Sequence, residues 1–176
     1  MYDIYKYQEG LSFKMKEFND GCRKVKKACF IASSGGHWEE LMCLKEIADE
    51  YDTFYVTEEG GQAEDSNLKK IYTLPQINRH EKNFLWHFIK LFKSASKVIK
   101  AEKPDFIITT GALIAFPFCV FAKIRGIKVI YIESFARVNN RSLTGRLVYP
   151  LADLFLVQWE PLLKLYPKAK YVGGIF

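Results

Sequence analysis

Short apolar runs alternate with amphipathic segments along this chain, and this alternation constrains the fold more than any other feature. The runs are five or six residues long and rich in branched and aromatic side chains, as strands buried on both faces of a sheet are. They lie at residues 28–32, 53–57, 70–74, 105–109, 128–133 and 153–158, and a shorter one lies at 171–172. Strands that alternate with helices form a parallel sheet covered on both faces. We therefore predict one Rossmann-like α/β domain over residues 28–176.

The segments between these runs carry apolar residues at helical spacing. They predict helices over residues 37–49, 83–102, 110–126 and 142–152, with a helical turn after Pro161. Pro104 follows the longest of them, and proline cannot continue a helix. Gly126 stands where a helix often ends on a left-handed glycine.

Charge and composition narrow the class of protein. The chain has 176 residues, a hydrophobic fraction of 49% and a net charge of +6, so it is globular and suits anionic partners such as phosphates or lipid head groups. No apolar run approaches the roughly 20 residues needed to span a bilayer. The four cysteines lack metal-like spacing and are typical of reduced thiols. No nucleic-acid-binding motif accompanies the positive charge, so we expect no nucleic-acid partner.

Two segments are strongly basic. Residues 1–27 carry seven basic and four acidic residues around an amphipathic apolar stripe, and form either a membrane-surface anchor or a disordered lead. Residues 79–103 carry seven basic and two acidic residues, beginning next to a cluster of aromatic side chains. Either the second segment is a core helix with a solvated lysine face, or its start contacts an anionic membrane. The predicted membrane-contact residues are Phe84, Leu85, Trp86, Phe88, Lys90 and Lys93.

Unusual residues follow four of the predicted strands. They occupy residues 33–37, 109–111, 133–141 and 158–160. Ligands of open α/β sheets bind beyond the carboxyl ends of the strands, so we expect the functional site there. The glycine turn Ser34-Gly-Gly-His37 matches neither a dinucleotide fingerprint nor a nucleoside-triphosphate loop.

Five ordered blocks carry a family resemblance. They are residues 34–37, 110–117, 131–138, 142–145 and 152–159. Together they resemble the PssD/CpsF family of bacterial polysaccharide-synthesis proteins and the membrane-associated subunit of the eukaryotic dolichyl-diphosphate-GlcNAc transferase. A more distant similarity is to the N-terminal half of MurG. Relatives often carry a second glycine soon after the first in the second block, whereas here Gly111 is followed by Ala112 and Leu113.

The resemblance implies the N-terminal, acceptor-binding half of a GT-B glycosyltransferase whose donor-binding half is a separate, PssE/CpsG-like polypeptide. It implies inverting transfer from a UDP-sugar to a polyprenyl-diphosphate-linked sugar in capsule or exopolysaccharide synthesis, with no cofactor and no metal. The expected location is the cytoplasmic side of a bacterial plasma membrane, where the chain would be peripheral. The alternative is a non-catalytic scaffold that recruits and activates the donor-binding subunit at the membrane.

Two residues are predicted to be catalytic. His37 either takes the proton of an acceptor hydroxyl or merely caps a helix, and a helix N-terminus would favour its neutral, basic form. Glu133 either orients the acceptor or positions Arg137 or Arg141, or it forms a structural ion pair.

Further residues are predicted to bind the acceptor or the partner. Glycines and a helix N-terminus accommodate phosphate, and arginine pairs with it bidentately. The predicted residues for the acceptor diphosphate and sugar are Ser34, Gly35, Gly36, Thr110, Gly111, Arg137 and Arg141. The predicted partner interface comprises Gln158, Trp159, Glu160, Gly173 and Gly174.

Overall fold

A single parallel sheet of seven strands organises the protein. The computed structural model describes residues 25–60, 68, 70–76 and 84–175. The strands are β1 (Lys27–Ile31), β2 (Asp52–Glu58), β3 (Ile71–Leu74), β4 (Phe106–Thr109), β5 (Lys128–Ile132), β6 (Leu154–Val157) and β7 (Lys170–Tyr171). Every neighbouring pair is parallel, in the order β3-β2-β1-β4-β5-β6-β7. The prediction of a Rossmann-like sheet is confirmed.

The order of the strands locates the functional edge. The chain runs outward from β1 to β3, then returns to place β4 on the other side of β1, with Ile31 beside Thr109. This reversal opens a crevice beyond the carboxyl ends of β1 and β4, which is where open α/β sheets bind ligands. The turn after β1 and the loop after β4 therefore face each other.

Helices cover both faces of the sheet. They are α1 (Gly36–Met42), α2 (Lys45–Asp49), α3 (Phe84–Glu102), α4 (Ala115–Ile124) and α5 (Leu143–Val148), followed by a 3-10 helix at Glu160–Lys164. In one core cluster, α1 and α2 pack against one face of the sheet, to which β1 contributes Phe30. In the other cluster, α3, α4 and α5 pack against the opposite face, to which β1 contributes Ile31. Alternate residues of a strand point to opposite faces, so β1 contributes to both clusters.

Three predicted helix boundaries are wrong. The helix predicted for residues 37–49 is two helices, with Cys43 and Leu44 between them. The helix predicted from Thr110 starts at Ala115, because Gly111 and Ala112 have positive φ angles of 118° and 70° that no α-helix accommodates. The helix predicted for residues 142–152 ends at Val148, well before β6.

The two predicted helix stops are confirmed. Helix α3 ends at Glu102, and Lys103 then adopts a left-handed φ of 49° immediately before Pro104. Gly126 follows α4 with a φ of 70°. A glycine in this conformation avoids the steric cost that other residues meet there.

A buried carboxylate ties together the amino edge of the sheet. Glu102 forms ion pairs with Lys27 and Lys70, both at 2.7 Å, and accepts a hydrogen bond from the hydroxyl of Tyr72. Burial alone would raise the pKa of Glu102, but these partners lower it to about 2. The cluster joins α3 to β1 and β3 at the edge opposite the crevice.

Most of the basic N-terminal segment and the start of the basic segment at 79–103 lie outside the described residues. The prediction of an N-terminal anchor over residues 1–27, and the domain boundary at residue 28, therefore stay predictions. Among the described helices, none is both long enough and apolar enough to cross a membrane. Cys29, Cys43 and Cys119 are free thiols, and two of them are buried.

Candidate active site

An open cleft of about 570 Å³ lies at the carboxyl edge of the sheet. Its walls come from the turn after β1, the ends of β2 and β3, the loop after β4 and the segment from the end of β5 to the start of α5. His37, Glu58 and Arg137 are the ionisable side chains that line it. Three of the four predicted strand ends thus meet in one place.

His37 lies in the first turn of α1 with its ring half-buried against the loop after β4. Its Nδ1 atom is buried and has no hydrogen-bond partner, while its backbone carbonyl accepts a hydrogen bond of 2.7 Å from the Thr110 hydroxyl. Burial lowers the pKa of the imidazole, Arg137 lowers it further, and the backbone of Thr110 and the Glu133 carboxylate oppose the shift. The ring is therefore neutral at pH 7, and a neutral imidazole keeps a nitrogen that can accept a proton.

The glycine turn before α1 is open to solvent. Gly35 has φ 81° and ψ −146°, a conformation in which essentially only glycine is stable, and neither Gly35 nor Gly36 has an atom within 4 Å of where a Cβ would stand. The backbone and hydroxyl of Ser34 already donate hydrogen bonds to the Glu58 carboxylate, whose pKa burial raises. The Glu58 carboxylate thus accepts the hydrogen bonds that Ser34 was expected to donate to a phosphate.

Gly111 brings the loop after β4 against the His37 ring. A Cβ at this position would stand 3.1 Å from the Tyr131 hydroxyl and 3.3 Å from Cε1 of His37. The expected second helix N-terminus at Thr110 and Gly111 is wrong, because α4 begins at Ala115. Both residues are buried and support His37 from behind, and Ala112 takes a left-handed φ of 70° that a glycine would adopt freely.

Glu133 lies beneath the cleft as the centre of a buried network. Its Oε2 accepts hydrogen bonds from the Tyr166 hydroxyl at 2.7 Å and from the Ser142 amide at 3.4 Å. Its Oε1 accepts from the Ser134 amide at 3.1 Å and from the Tyr131 hydroxyl at 3.4 Å. With the whole residue at 0% exposure, the carboxylate supports the cleft's floor and does not line the cleft itself.

The predicted pairing of Glu133 with an arginine is not what the structure shows. Both arginines are exposed: Arg137 lines the cleft and donates a 3.3 Å hydrogen bond to Asn140, while Arg141 lies over the ring of Tyr166 at 5.9 Å. Hydroxyl and amide donors satisfy Glu133 instead. Of these two arginines, Arg137 is therefore the one that lines the cleft.

The sequence interpretation missed Glu40. Its Oε1 accepts hydrogen bonds from the Ser134 hydroxyl at 2.9 Å and the Phe135 amide at 3.0 Å, so it holds the segment that carries Arg137. Its Oε2 is buried without a partner, and burial raises the pKa of this carboxyl to about 7. Residues three apart share a helix face, so the spacing of Glu40 from His37 was the available signal.

Of the residues predicted for a partner interface, Gln158 is buried and the others are half-buried or exposed. Gln158 is buried, donates to the Glu133 carbonyl at 3.0 Å and accepts from the Ile175 amide at 2.9 Å, so its predicted partner contact is wrong for the side chain. Trp159 is half-buried and donates to the Phe135 carbonyl at 2.6 Å. Glu160 is exposed, and Gly173 and Gly174 are half-buried in the C-terminal segment.

Four of the predicted membrane-contact residues are exposed, whereas Phe88 packs against the core. Leu85 and Trp86 are 71% and 56% exposed at the start of α3, and the Lys90 ammonium lies 5.5 Å from the centre of the Trp86 ring. Phe88 instead stacks between Phe84 and Phe116 and belongs to the edge of the core. Lys90 and Lys93 are exposed.

The fold of the chain is similar to one domain of several solved structures. It resembles one half of MurG from Acinetobacter baumannii, with a TM-score of 0.65, 19% identity and coverage of 77% of this chain and 42% of that one. A UDP-N-acetylglucosamine 2-epimerase from Rickettsia bellii matches with a TM-score of 0.67, 15% identity and coverage of 86% and 46%. The chain thus spans less than half of these structures and has the Rossmann-like domain they contain.

The family follows from the sequence comparison. The model of the family described as "Oligosaccharide biosynthesis protein Alg14 like" matches residues 28–175, and the chain belongs to that family. A mouse relative named "UDP-N-acetylglucosamine transferase subunit ALG14" is 27% identical, with 87% of this chain and 84% of the relative covered. A Yarrowia lipolytica relative of the same name is 38% identical over 47% of this chain and 41% of the relative. The resemblance is confirmed at this level, whereas a specific PssD/CpsF membership stays a prediction.

Proposed function

We propose that this chain is the acceptor-binding, membrane-associated subunit of a two-component inverting glycosyltransferase. The donor is a UDP-sugar, for which UDP-N-acetylglucosamine is the first candidate because the relatives are named as subunits of a transferase of that sugar. The acceptor is a sugar linked to a polyprenyl diphosphate. A separate subunit binds most of the donor, in keeping with the word "subunit" in those names.

One observation carries this proposal: a half-buried histidine, whose pKa burial lowers, lines the cleft at the sheet's switch point. His37 accepts the proton of the acceptor hydroxyl while that oxygen attacks the anomeric carbon of the donor. The bond from this carbon to the UDP oxygen breaks, UDP leaves with the electron pair, and the configuration inverts. Arg137 supplies positive charge at the cleft wall, where it stabilises the negative charge that develops on the departing UDP.

The other polar residues position these two. Gly111 sets the ring of His37, and Glu40 holds the segment that carries Arg137. Glu133 fixes Ser142 at the wall of the cleft and Tyr131 beneath it. Gly35 and Gly36 leave the approach open for the acceptor sugar. The described residues contain no group of three metal-ligating side chains, and metal-independent transfer is part of the proposal.

The proposal also covers the membrane and the partner subunit. The exposed Leu85 and Trp86, next to Lys90 and Lys93, suit an anionic membrane on the cytoplasmic side. Glu160 and the C-terminal Gly173 and Gly174 are the proposed edge for the donor-binding subunit. A bacterial origin and a role in capsule or exopolysaccharide synthesis remain predictions from the sequence resemblance.

A transfer assay on the assembled complex tests the proposal. The acceptor is a polyprenyl-diphosphate-linked sugar, and a panel of UDP-sugars is supplied with and without the partner subunit. His37→Gln should lower kcat by at least about a hundredfold, the range for loss of a general base, while assembly and membrane binding persist. Arg137→Ala should lower kcat/KM, and Arg125→Ala, which removes an exposed arginine distant from the cleft, serves as its matched control.

Two outcomes would contradict the enzymatic role. Near-normal turnover by a correctly assembled His37→Gln complex would remove the histidine as the base and favour the scaffold. Absence of transfer from every UDP-sugar, with the complex intact, would refute the glycosyltransferase subunit itself.

A further inference from the structure

Glu58 is a half-buried carboxylate in the wall of the cleft, and the proposed transfer gives it no role. It is the last residue of β2, and Ser34 donates hydrogen bonds to it from its amide and its hydroxyl. Of the ion pairs between described residues, none includes Glu58. A carboxylate that is partly desolvated without a cation is stabilised by further hydrogen-bond donors.

The remaining acceptor capacity of Glu58 defines the ligand that suits it. An ionised carboxylate has about four acceptor sites on its two oxygens and no donor. The two bonds from Ser34 occupy part of this capacity and hold the carboxylate in one orientation. The rest is available to a ligand that carries neighbouring donors. A phosphate is disfavoured at this point because like charges repel, whereas the hydroxyl groups of an uncharged sugar suit it.

Gln76 adds a second polar group to the same side of the cleft. Glu58 stands beside Leu74 in the register of β2 and β3, and Gln76 follows Leu74 by two residues. Gln76 is exposed and lines the cleft together with Glu58. An amide both donates and accepts hydrogen bonds, as a hydroxyl group does. We call Glu58 and Gln76 the β2–β3 wall.

The order of the strands separates this wall from the positive charge of the cleft. The strands β2, β1, β4 and β5 are neighbours in that order, so the ends of β2 and β5 lie about 14 Å apart at the usual spacing. His37 follows β1, between them, and Arg137 follows β5. Glu58 and Arg137 both line the cleft, yet no ion pair between described residues joins them.

This order matches the geometry of an inverting displacement. The attacking hydroxyl and the departing UDP lie on opposite sides of the anomeric carbon, and the base lies beside the attacking oxygen. UDP is anionic and belongs near Arg137, so the acceptor sugar comes from the side of the β2–β3 wall. The reverse arrangement would bring UDP against the Glu58 carboxylate, where like charges repel.

We propose that Glu58 binds the acceptor sugar, with its carboxylate accepting hydrogen bonds from neighbouring hydroxyl groups of the ring and Gln76 binding a further polar group. Glu58 thereby selects among acceptor sugars and directs the attacking hydroxyl towards His37. A site that hydrogen-bonds a substrate hydroxyl discriminates strongly against a sugar that lacks it. This inference rests on the proposed function, because it assigns the cleft to the acceptor of that transfer.

Direct binding to the full chain tests the sugar contact without requiring activity. The probes are farnesyl diphosphate and its derivatives that carry glucose, galactose or N-acetylglucosamine, measured by calorimetry below their micellar concentrations. The ratio of the Kd of farnesyl diphosphate to that of a derivative measures what the sugar contributes. The variant Glu58→Gln is matched by Glu59→Gln, which removes the same charge from the next residue, exposed and outside the cleft.

The two variants should differ for the sugar and agree for the lipid diphosphate. We expect Glu58→Gln to weaken the tightest-binding derivative by about ten- to a hundredfold, the range for a hydrogen bond to a charged group. Binding of farnesyl diphosphate itself should weaken by less than about twofold, and Glu59→Gln should change either probe by less than about twofold. A deoxy derivative that lacks the contacted hydroxyl should bind the parent chain more weakly and Glu58→Gln no more weakly than before.

Gln76→Ala provides a second variant at an exposed position, where the fold does not depend on the side chain. It should weaken the same derivative by about two- to tenfold, because a neutral hydrogen bond contributes less than a charged one. This variant tests the wall even if Glu58→Gln alters the turn that carries Ser34.

Three binding results would overturn the inference. If no derivative binds the parent chain more tightly than farnesyl diphosphate, the cleft has no sugar contact to assign. Equal weakening of the derivative and of farnesyl diphosphate by Glu58→Gln would indicate a general change in the cleft. Equal effects of Glu58→Gln and Glu59→Gln would indicate an unspecific effect of charge.

The transfer assay separates this inference from the function on which it rests. Glu58→Gln should raise the KM for the lipid-linked acceptor and leave kcat within about threefold. An unchanged KM beside normal transfer would reject the sugar contact and keep the function. A loss of kcat as large as that of His37→Gln, with KM unchanged, would make Glu58 the base and overturn the inference. Binding that depends on the sugar and on Glu58, in a chain whose complex transfers no sugar, would keep the contact and refute the function.

Discussion

Gly145 in α5 offers the sharpest test of the buried network under the cleft. A Cβ added there would stand 2.2 Å from Oε2 of Glu133, 2.6 Å from the Tyr166 hydroxyl and 2.8 Å from the Ser142 hydroxyl. Ordinary van der Waals contact begins at 3.4 Å. In Gly145→Ala the carboxylate therefore has to move by about 1 Å in an interior that is close-packed.

The energy of that movement follows from the contacts it disturbs. Overpacking of a dense interior costs about 1–3 kcal/mol. Displacement of the carboxylate also weakens its 2.7 Å hydrogen bond from Tyr166, and bonds to charged groups contribute about 1.5–3 kcal/mol. Alanine is a better helix former than glycine by about 1 kcal/mol, which offsets part of the loss. We expect Gly145→Ala to lower the free energy of unfolding by about 3 kcal/mol in total.

Urea unfolding of the full chain measures this quantity, and Gly36→Ala provides the control. Gly36 is also in a helix, but no atom lies within 4 Å of its added Cβ, so its stability should change by less than about 0.5 kcal/mol or increase. A Gly145→Ala protein as stable as the parent would refute the placement of Glu133 against α5. A loss of similar size in both variants would show that the effect lies in the backbone and not in the network.

Three further predictions concern the buried carboxyls and the support of His37. Burial raises the pKa of Glu40 from 4.5 to about 7, so we expect the free energy of unfolding to fall by about 3 kcal/mol as the pH rises from 4.5 to 7. Urea unfolding of Glu40→Gln at a series of pH values should lack this decline. The same pH dependence in both proteins would reject the prediction. The partners of Glu102 lower its pKa to about 2, so its contribution to the free energy of unfolding should disappear as the pH falls from 4.5 towards 2. Glu102→Gln should lower the free energy of unfolding by about 2 kcal/mol at pH 7. Equal stabilities of the two proteins at pH 7 would count against the cluster. Gly111→Ala should lower kcat by about tenfold through displacement of the His37 ring. Gly126→Ala, which also has a positive φ but no atom within 4 Å of its added Cβ, should leave kcat unchanged, and equal activities of the two variants would reject the contact.

Local sequence determined the elements whose signal is local. The strand at 28–32 is read from consecutive apolar residues that have to be buried on both faces, and the stops at Pro104 and Gly126 follow from the chemistry of single residues. The meeting of three strand ends in one cleft was predictable too, because all strands of a parallel sheet point their carboxyl ends the same way.

The errors arose where distant contacts override local preference. Residues 110–114 have helix-compatible composition, yet the loop follows a left-handed path at Gly111 and Ala112 that brings it against His37, 74 residues away from Gly111 in sequence. Gln158 has the character of a surface residue, but its two polar ends satisfy backbone groups at Glu133 and Ile175. Sequence spacing carries no information about such partners.

The sequence by itself determined a parallel α/β sheet and a histidine in a glycine turn at its carboxyl edge, because hydrophobic period and turn chemistry are properties of neighbouring residues. Only the tertiary structure decided what surrounds that histidine. It placed Glu133 under the cleft and set Glu40 against the segment that carries Arg137. Burial and pairing of charged groups depend on elements that meet only when the chain folds, and these contacts define what the cleft can hold.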